Sequence, residues 1–378
     1  MLKKTLQGFA AALALLIALA YSFGYDYLFK GIRETYLRGE TGSSIEDGNY
    51  FPSHLIAKGQ PIPWQKDSLY NKKTLPNDLV DALNKSKTVS FLVIKNGKLL
   101  HEEYWDHHNQ NSKTNSFSMA KAVNVMLLGK AIEEEKIKGL DQKYSDFFEN
   151  YKNVEFGKDL TIGDLAKMEA GLDWTENYKN PFLPNAKAYY GKSLAEAVFL
   201  RGFKEKPGTK FEYQSGASQL LGFAIRKAIG KSIAEYTSEK LWKPLGMEQN
   251  ADWTVDENGM EKTFCCIQSN SRDFAKLGQL FLDGGKVGNL QIMNPAFLEE
   301  MKTPTKLSNG VYGMGLWINV DAPIKHYYFR GLYGQYIIII PEKQMVLVRT
   351  GTYKVEQQDE KGRPQLVRFM VDEVVKNF

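Results

Sequence analysis

The pattern of hydrophobic and polar positions changes character along the chain. The stretch TVSFLVIKNGKLLHEEYW contains two β-rich runs around Asn96-Gly97, a dipeptide typical of a tight hairpin turn. From Met119 onward the apolar residues recur with helical spacing. Two further β runs, QYIIIIP and MVLVRTG, come late in the chain on either side of residues 341–344. The pattern therefore predicts a strand pair early, helices in the middle and a second strand pair near the end.

Shorter periodic stretches complete the predicted fold. They indicate helices over 79–84, 271–285 and 364–378, and helical patches broken by turns across 140–260. The most economical arrangement places both hairpins in one antiparallel sheet, with the terminal helices on one face and a helical insertion beside it. The predicted fold class is therefore α+β, an α/β/α sandwich.

The N-terminus has a separate pattern. Lys3 and Lys4 precede an apolar run over 8–25 that fits a secretory signal, with Ala18-Leu19-Ala20 as a small-residue cleavage site. Left uncut, the same run is long enough to span a bilayer, and the two lysines favour a cytoplasmic N-terminus. We favour an uncleaved anchor in residues 1–25, with the rest of the chain exported, to the periplasm in a Gram-negative cell. Residues 26–75, rich in Gly, Pro, Ser and charge, are predicted to be a linker that wraps onto the domain that follows, 76–378.

Charge and cysteine content exclude some functions. The formal net charge is +5, and the basic residues are scattered rather than clustered with aromatics, which argues against nucleic acid as a partner. The two cysteines, Cys265 and Cys266, are neighbours and form neither a framework of spaced pairs nor a zinc motif. We expect them to be two small buried thiols. No pattern specifies an oligomeric state.

The sequence SFSMAKAVN, over 116–124, contains the first candidate for chemistry. Ser118 and Lys121 are three residues apart, so on a helix they lie on one face. A serine hydroxyl needs a base to become a nucleophile, and a buried lysine can serve because desolvation lowers its pKa. A helix N-terminus also offers free N–H groups to an oxyanion. The alternative is an ordinary helix start with a solvated lysine.

Two later segments add further candidates. In KPGTKFEYQSGASQLLG, Tyr213 comes just before a helical run, and a nearby lysine ammonium would favour its phenolate and let it relay protons. The alternative is a half-buried aromatic with its hydroxyl at the surface. In HYYFRGLYGQYIIIIP, strand alternation places Tyr328, Arg330 and Leu332 on one face, and the glycines indicate close approach of the backbone to a ligand. A twisted strand with a bulge is the alternative there.

Taken in order, these three motifs resemble those of the serine β-lactamase and penicillin-binding-protein-like family, in its class C β-lactamase, esterase and 6-aminohexanoate-dimer hydrolase branch. The resemblance runs from about Tyr50 to the C-terminus. It implies an antiparallel sheet with flanking helices, a helical subdomain at roughly 140–260, and a serine hydrolase without cofactor or metal. The other segments that fit the family lie at 160–174, 206–247, 271–285 and 312–317.

The resemblance also implies roles for individual residues. Ser118 would be the acylated nucleophile, Lys121 its base, and Tyr213 the group that passes a proton to the leaving group and activates the deacylating water. The backbone N–H groups of Ser118 and Gln335 would form the oxyanion hole.

The remaining matched positions are expected to bind substrate, and two of them depart from the family pattern. Ser215 stands where the family often has asparagine, and Leu332-Tyr333-Gly334 stands where it has Lys-Thr-Gly. Leucine cannot meet a substrate carboxylate, so Arg330 is a candidate to restore the positive charge.

These departures favour an ester or amide as the small-molecule substrate. The alternatives are a D-alanyl-D-alanine peptidase acting on peptides or a β-lactamase. A further alternative is a non-catalytic relative that binds cell-wall peptide.

A polar cluster in HEEYWDHH is the remaining candidate for a metal site. It holds three histidines and three carboxylates, which are possible metal ligands. Strand alternation sends His101 and Glu103 to one side and Glu102 to the other. We therefore interpret the cluster as a polar strand end and loop, and expect no metal. The aromatic residues at 174, 178, 189 and 190 are either a pocket rim or surface packing.

Overall fold

The computed structural model describes residues 2–378 and combines antiparallel sheets with packed helices. The strands are β1 (Ser53–Ile56), β2 (Thr88–Lys95), β3 (Lys98–Tyr104), β4 (Thr114–Asn115), β5 (Ala251–Thr254), β6 (Ile267–Ser269), β7 (Lys286–Val287), β8 (Leu290–Gln291), β9 (Trp317–Asn319), β10 (His326–Gly331), β11 (Gln335–Ile340) and β12 (Met345–Gly351). The α-helices are α1 (Leu2–Ser22), α2 (Tyr27–Glu34), α3 (Asn77–Lys85), α4 (Ala120–Glu133), α5 (Ile162–Ala166), α6 (Pro184–Tyr190), α7 (Leu194–Val198), α8 (Ser215–Ile229), α9 (Ile233–Thr237), α10 (Ser271–Leu282), α11 (Pro295–Lys302) and α12 (Gln365–Asn377).

The central sheet contains both predicted hairpins. Its strand order is β3-β2-β12-β11-β10-β9, and every neighbouring pair is antiparallel. Strand β12 pairs with both β11 and β2, so it joins the late hairpin to the early one. All six residues of β11 are buried, as expected for a strand covered on both faces. The prediction of one shared antiparallel sheet is confirmed.

Helices cover both faces of this sheet, which confirms the predicted sandwich. On one face α3 and α12 pack over an aliphatic core, to which α12 contributes Val367, Met370, Val371 and Val374. On the other face α10 lies directly on the strands at Gly278. A Cβ added at Gly278 would come within 2.7 Å of Val346 Cγ1 and 2.8 Å of Ile337 Cγ2. This close approach brings α10 onto the strands, as a three-layer core requires.

The helical region beside the sheet carries the elements that matter for chemistry. Helix α4 is buried along most of its length and packs against α8. The two helices are tied by Asn124, whose Nδ2 donates to the Ser218 carbonyl oxygen at 2.9 Å. Lys121 lies in the first turn of α4 and Ser215 is the first residue of α8. Packing of the two helices thus brings these side chains together from distant parts of the sequence.

Residues 26–75 lie over the rest of the chain but contain regular elements that their composition did not indicate. Helix α2 packs on α6, and β1 pairs with β5 at one edge of a smaller sheet of order β1-β5-β6-β4. The composition of this segment does not predict such short elements, because contacts with the rest of the protein stabilise them, not a local pattern of hydrophobic residues.

Helix α1 stands apart from the packed body. Its 21 residues include none that is buried, and a stretch of 18 residues within it has a mean hydropathy of 1.7. Within residues 2–378 it is the one helix that is long and apolar enough to cross a membrane. A signal sequence near the N-terminus has the same properties.

Candidate active site

Ser118 lies in a short 3-10 helix, Phe117–Met119, that leads directly into α4. The residue before it, Phe117, has φ +42°, an unusual backbone angle for a bulky side chain. The Asn115 side chain stabilises this conformation, because its Oδ1 accepts a hydrogen bond of 2.9 Å from the Phe117 N–H. Local strain held in place by surrounding contacts is typical of functional sites. The turn sets the Ser118 hydroxyl at the end of α4 from which N–H groups project.

The Lys121 amine is buried against the Ser118 hydroxyl. Its Nζ lies 2.9 Å from Ser118 Oγ, 3.1 Å from Ser215 Oγ and 2.8 Å from the Phe264 carbonyl oxygen. The side chain is only 1% exposed. Burial lowers the pKa of Lys121 from 10.5 to about 8, although the Glu176 carboxylate acts in the opposite direction. Near neutral pH a useful fraction of the amine is therefore unprotonated and able to accept the hydroxyl proton.

The Tyr213 side chain joins the same group. Lys121 Nζ lies 4.9 Å from the centroid of the Tyr213 ring. Burial raises the pKa of Tyr213 above its usual value, and Glu176 raises it further, although a hydrogen bond with Ser118 and the charge of Arg330 lower it. The expectation that a lysine would favour the phenolate is therefore wrong in direction. In the resting protein Tyr213 is a neutral phenol and thus a proton donor.

Glu176 is a member of the site that the sequence did not reveal. Its Oε1 accepts a hydrogen bond of 2.6 Å from Ser215 Oγ, and its Oε2 accepts one of 2.9 Å from Trp174 Nε1. The Ser215 N–H and the Tyr178 hydroxyl also donate to this carboxylate. The resulting chain runs from Glu176 through Ser215 to Lys121, so Ser215 links the carboxylate to the amine. No local motif marks Glu176, because its role depends on the packing of its loop against α8.

Replacing Glu176 with glutamine is expected to shift the pH dependence of hydrolysis. Since the carboxylate raises the pKa of Lys121, its loss should lower that pKa further below about 8. The acid limb of the kcat/KM profile should therefore move to lower pH. In addition, kcat should fall severalfold, because the glutamine NH2 group cannot accept the hydrogen bonds that one of the two carboxylate oxygens receives. Profiles of kcat/KM against pH for both proteins measure the shift. An unchanged midpoint would show that Glu176 does not act on the lysine.

Ser118 lies between two adjoining cavities of about 700 and 490 Å³. The larger is lined by Tyr178, Tyr189, Tyr190, Asn185, Phe264 and Cys265, among others. Three of the four aromatic positions noted in the sequence thus form a pocket wall, whereas Trp174 is buried beneath it. Asn185 is 5% exposed, and neither of its amide atoms has a hydrogen-bond partner among residues 2–378. An unpaired buried amide facing a cavity can receive a polar group of a ligand.

The segment over 332–334 departs from the predicted strand. Strand β10 ends at Gly331, and Leu332–Gly334 forms a 3-10 turn in which Tyr333 has φ +62°. The strand alternation predicted to place Leu332 on the Arg330 face therefore does not extend that far, although both residues line the smaller cavity.

The two glycines of this segment approach protein atoms. A Cβ at Gly331 would lie 2.3 Å from the Ser116 carbonyl oxygen. At Gly334, where φ is +78°, it would lie 2.6 Å from Arg349 Nη1. The close approaches at both glycines are thus to protein atoms, and an approach of the backbone to a ligand stays a prediction.

Arg330 is paired with a carboxylate. Its Nη2 lies 2.5 Å from Glu356 Oε2, its Nη1 donates to the Gly362 carbonyl oxygen at 3.0 Å, and its guanidinium stacks over the Trp317 ring. Glu356 therefore compensates the positive charge that was expected to replace the missing lysine. A substrate carboxylate could use this charge only by displacing Glu356.

Gln335 is the first residue of β11, next to the turn over 332–334. Its side chain is buried and fixes the local backbone: Nε2 donates to the carbonyl oxygens of Leu332 at 3.0 Å and Gly351 at 2.6 Å, and Oε1 accepts from the Gly351 N–H at 3.0 Å. This bracing holds the backbone at 335 steady. The assignment of its N–H to the oxyanion hole stays a prediction.

The polar cluster HEEYWDHH divides as alternation predicted. His101 and Glu103 approach each other at 3.5 Å on one side of β3, while Glu102 on the other side accepts a hydrogen bond of 2.9 Å from Arg272 Nε. His107 and His108 lie near Glu46, and the three candidate ligand atoms are within 4.8 Å of one another. The hydrogen bond of 2.7 Å between His107 Nε2 and Glu46 accounts for this approach without an ion.

The two cysteines form a disulfide, which corrects the expectation of two thiols. Both residues are buried as expected. Cys266 has φ +78°, so the backbone turns sharply and brings the neighbouring side chains together. Cys265 lines the larger cavity, directly after the Phe264 carbonyl that binds Lys121.

Comparison with known proteins agrees with this geometry. The sequence profile of the family described as Beta-lactamase matches residues 77–370. The chain belongs to the beta-lactamase family. This membership confirms the predicted resemblance and accounts for the sandwich of helices on an antiparallel sheet.

Individual relatives of this beta-lactamase family member are distant. The 6-aminohexanoate-dimer hydrolase of Paenarthrobacter ureafaciens is 23% identical over 234 residues, which cover 59% of each chain. The teichoic acid D-alanine hydrolase of Staphylococcus aureus (strain MRSA252) is 26% identical over 217 residues, covering 55% of this chain and 51% of the relative. The chain thus spans somewhat more than half the length of these curated relatives. A candidate 6-aminohexanoate-dimer hydrolase from Bacillus anthracis superposes with a TM-score of 0.76 over 90% of this chain and 93% of its own, at 22% identity, which shows a shared fold.

Proposed function

We propose that the protein is a serine hydrolase that forms an acyl-enzyme on Ser118 and hydrolyses an ester or amide. One observation carries this proposal: the Lys121 amine, 1% exposed and lowered in pKa to about 8, lies 2.9 Å from the Ser118 hydroxyl. A buried amine without an ionic partner is costly, and the cost is understandable where an unprotonated base is needed. The names of the related hydrolases support the same reaction class.

In acylation Lys121 takes the Ser118 proton while Oγ attacks the substrate carbonyl carbon. The carbonyl π electrons move onto the oxygen, and the N–H groups of Ser118 and Gln335 are assigned to hold that oxyanion. Collapse of the tetrahedral intermediate breaks the bond to the leaving group. Tyr213, a neutral phenol with a raised pKa, gives its proton to the departing oxygen or nitrogen.

Deacylation uses the same groups in reverse. The Tyr213 phenolate left by acylation is a strong base, because its pKa is raised by burial. It takes a proton from a water molecule, whose oxygen attacks the acyl carbon and releases the carboxylic acid. The proton on Lys121 returns to Ser118 Oγ as the ester bond breaks, which restores the resting site.

The binding residues favour a substrate without a free carboxylate. Leu332 supplies no charge, and Arg330 is already paired with Glu356. We assign Ser215, Arg330 and Leu332-Tyr333-Gly334 to substrate binding, and the wall of the smaller cavity next to Ser118 includes Leu332 and Tyr333. The tyrosine-lined cavity accommodates an apolar acyl or leaving group, and Asn185 can hydrogen-bond a polar atom within it.

We also propose that α1 keeps the protein on the outer face of the cytoplasmic membrane. Residues 1–25 would be the anchor or signal, 26–75 the wrapping segment and 76–378 the hydrolase domain, with the helical subdomain at roughly 140–260. The two lysines before the apolar run support a cytoplasmic N-terminus and an extracytoplasmic hydrolase domain.

Comparing a p-nitrophenyl ester with a chromogenic cephalosporin tests the substrate class. The purified protein is expected to turn over the ester with a measurable kcat/KM and the cephalosporin much more slowly, because the family's lysine at position 332 is leucine here. Each chromophore reports the cleavage of its own bond, so the initial rates of the two reactions can be compared directly. Faster cleavage of the cephalosporin would reverse the ranking and favour the β-lactamase alternative.

A further inference from the structure

Exposed aromatic and aliphatic side chains form a patch where α1 ends. The patch consists of Tyr25, Phe29, Ile32 and Phe182, and we call it the juxtamembrane patch. It is continuous with the apolar helix, because the Tyr21 and Phe29 rings stack at 5.8 Å. Single exposed apolar residues are ordinary, but a contiguous set of this kind marks an interaction surface.

Ring contacts hold the patch together across two segments of the chain. The Tyr25 and Phe182 rings meet edge to face at 5.7 Å, and the Tyr27 hydroxyl donates to the Pro181 carbonyl oxygen at 2.9 Å. The end of α1, helix α2 and the loop over 177–183 therefore form one surface. Aromatic residues at the end of a membrane-spanning helix typically lie at the level of the lipid headgroups.

The charge around the juxtamembrane patch suits an anionic bilayer. Residues 21–38 and 177–201 together contain seven Lys and Arg against three Asp and Glu. The resulting surplus of four positive charges accounts for most of the formal net charge of +5. Arg33 and Lys192 pair with Glu34 at 2.7 Å and Asp26 at 2.8 Å, but both cationic side chains are more than half exposed, so they can also contact headgroup phosphates.

The segments that carry the patch also line the cleft at Ser118. The loop that holds Phe182 contributes Tyr178 and Lys179 to the wall of the larger cavity. Helix α2 supports the opposite side, because Gly31 faces the Tyr190 ring, to which an added Cβ would come within 3.6 Å. A membrane that contacts the patch is therefore next to the entrance of the cleft.

We propose that the juxtamembrane patch lies on the bilayer surface, so that the cleft takes acyl esters or amides of amphiphiles held in the membrane. This inference rests on the proposed hydrolase function and adds the substrate class. The reaction is the same hydrolysis: water cleaves the acyl bond and gives two products, the carboxylic acid and the free alcohol or amine. The tyrosine-lined cavity of about 700 Å³ is suited to the apolar part of such a molecule.

Fluorescence quenching of the full chain in vesicles tests the position of the patch. Phe182→Cys is labelled with an environment-sensitive dye and reconstituted in phosphatidylethanolamine–phosphatidylglycerol vesicles that contain lipids with nitroxide headgroups. Leu290→Cys is the matched control, because Leu290 is equally exposed (61% for both) and lies on the separate β7–β8 hairpin. Strong quenching at 182 with little at 290 is expected. Equal quenching, or none at 182, would overturn the proposal.

A second measurement tests the substrate class and separates its failure from that of the hydrolase function. The Ile32→Ser/Phe182→Ser variant should show a severalfold higher KM for a long-chain p-nitrophenyl ester held in the vesicles, with unchanged kcat/KM for p-nitrophenyl acetate in water. Leu290→Ser should change neither.

If the wild type hydrolyses only the soluble ester, the membrane substrate class is refuted and the hydrolase function stands. If it hydrolyses neither, the hydrolase function fails, and with it the substrate class, while quenching still decides where the patch lies. Dye-to-dye energy transfer at 182 without nitroxide quenching would assign the patch to contact between two copies of the chain and overturn the proposal.

Discussion

Replacing Ser118 with alanine is expected to lower kcat/KM for a p-nitrophenyl ester by roughly 10³-fold or more, as is usual when a covalent nucleophile is removed. The hydroxyl is the only part of this side chain that contacts the Lys121 amine, and alanine keeps the Cβ. Folding should be little affected, since one small hydroxyl at the cleft is lost. Steady-state kinetics together with thermal unfolding separate the two effects.

Ser116→Ala is the matched control for this variant. Ser116 is buried two residues earlier, and its Oγ accepts a hydrogen bond of 3.0 Å from the Ile267 N–H. Its loss should cost stability, on the order of 1–3 kcal/mol for an unpaired buried donor, and leave kcat/KM within a fewfold of the wild type. If Ser118→Ala retained wild-type activity, or if both variants lost activity equally, a nucleophilic role for Ser118 would be excluded.

Replacing Lys121 with methionine is expected to lower kcat/KM by roughly 10²- to 10⁴-fold, the range typical of general-base catalysis. Methionine has a similar volume and needs no solvation, so the core around α4 stays filled. The variant should also change the pH dependence of stability. The pKa of Lys121 is about 8 in the folded chain and 10.5 when exposed, so the unfolded state binds more protons between these values. Wild-type stability therefore gains a contribution as pH rises through this window, and the variant lacks it.

Lys262→Met is the control for a buried lysine outside the Ser118 group. Lys262 is also 1% exposed, its pKa is lowered by burial to about 7, and its Nζ donates to the Tyr189 carbonyl oxygen at 2.5 Å. This variant should alter stability with pH in the same sense while keeping most of the activity. Equal loss of activity in both variants would mean that buried lysines matter here through folding alone.

Local spacing explains why part of the site could be predicted from the sequence. Ser118 and Lys121 lie three residues apart at a helix start, so their meeting follows from helix geometry. Tyr213 could be joined to them only through the family resemblance, and the direction of its pKa shift follows from burial that no local pattern shows. Glu176 reaches Lys121 through Ser215, a contact created by packing of a loop on α8, and no motif marks it.

The same distinction holds for the fold. The strand pairs and the helices α3, α4, α10 and α12 have strong periodicity, and the structure contains them near the predicted bounds. The end of β10 at Gly331 was missed because the following turn depends on Tyr333 at a positive φ and on the bracing of Gln335. Strand β1 was missed because its four residues are defined by pairing with β5.

Mapping of a covalent adduct tests the central claim most directly. The purified full chain is treated with a fluorophosphonate, digested and analysed by mass spectrometry at several pH values. The account predicts one adduct, on the peptide that contains Ser118, formed faster as pH rises through the Lys121 pKa of about 8 and absent in Ser118→Ala. A folded protein that gives no adduct, or an adduct on a different residue, would contradict it.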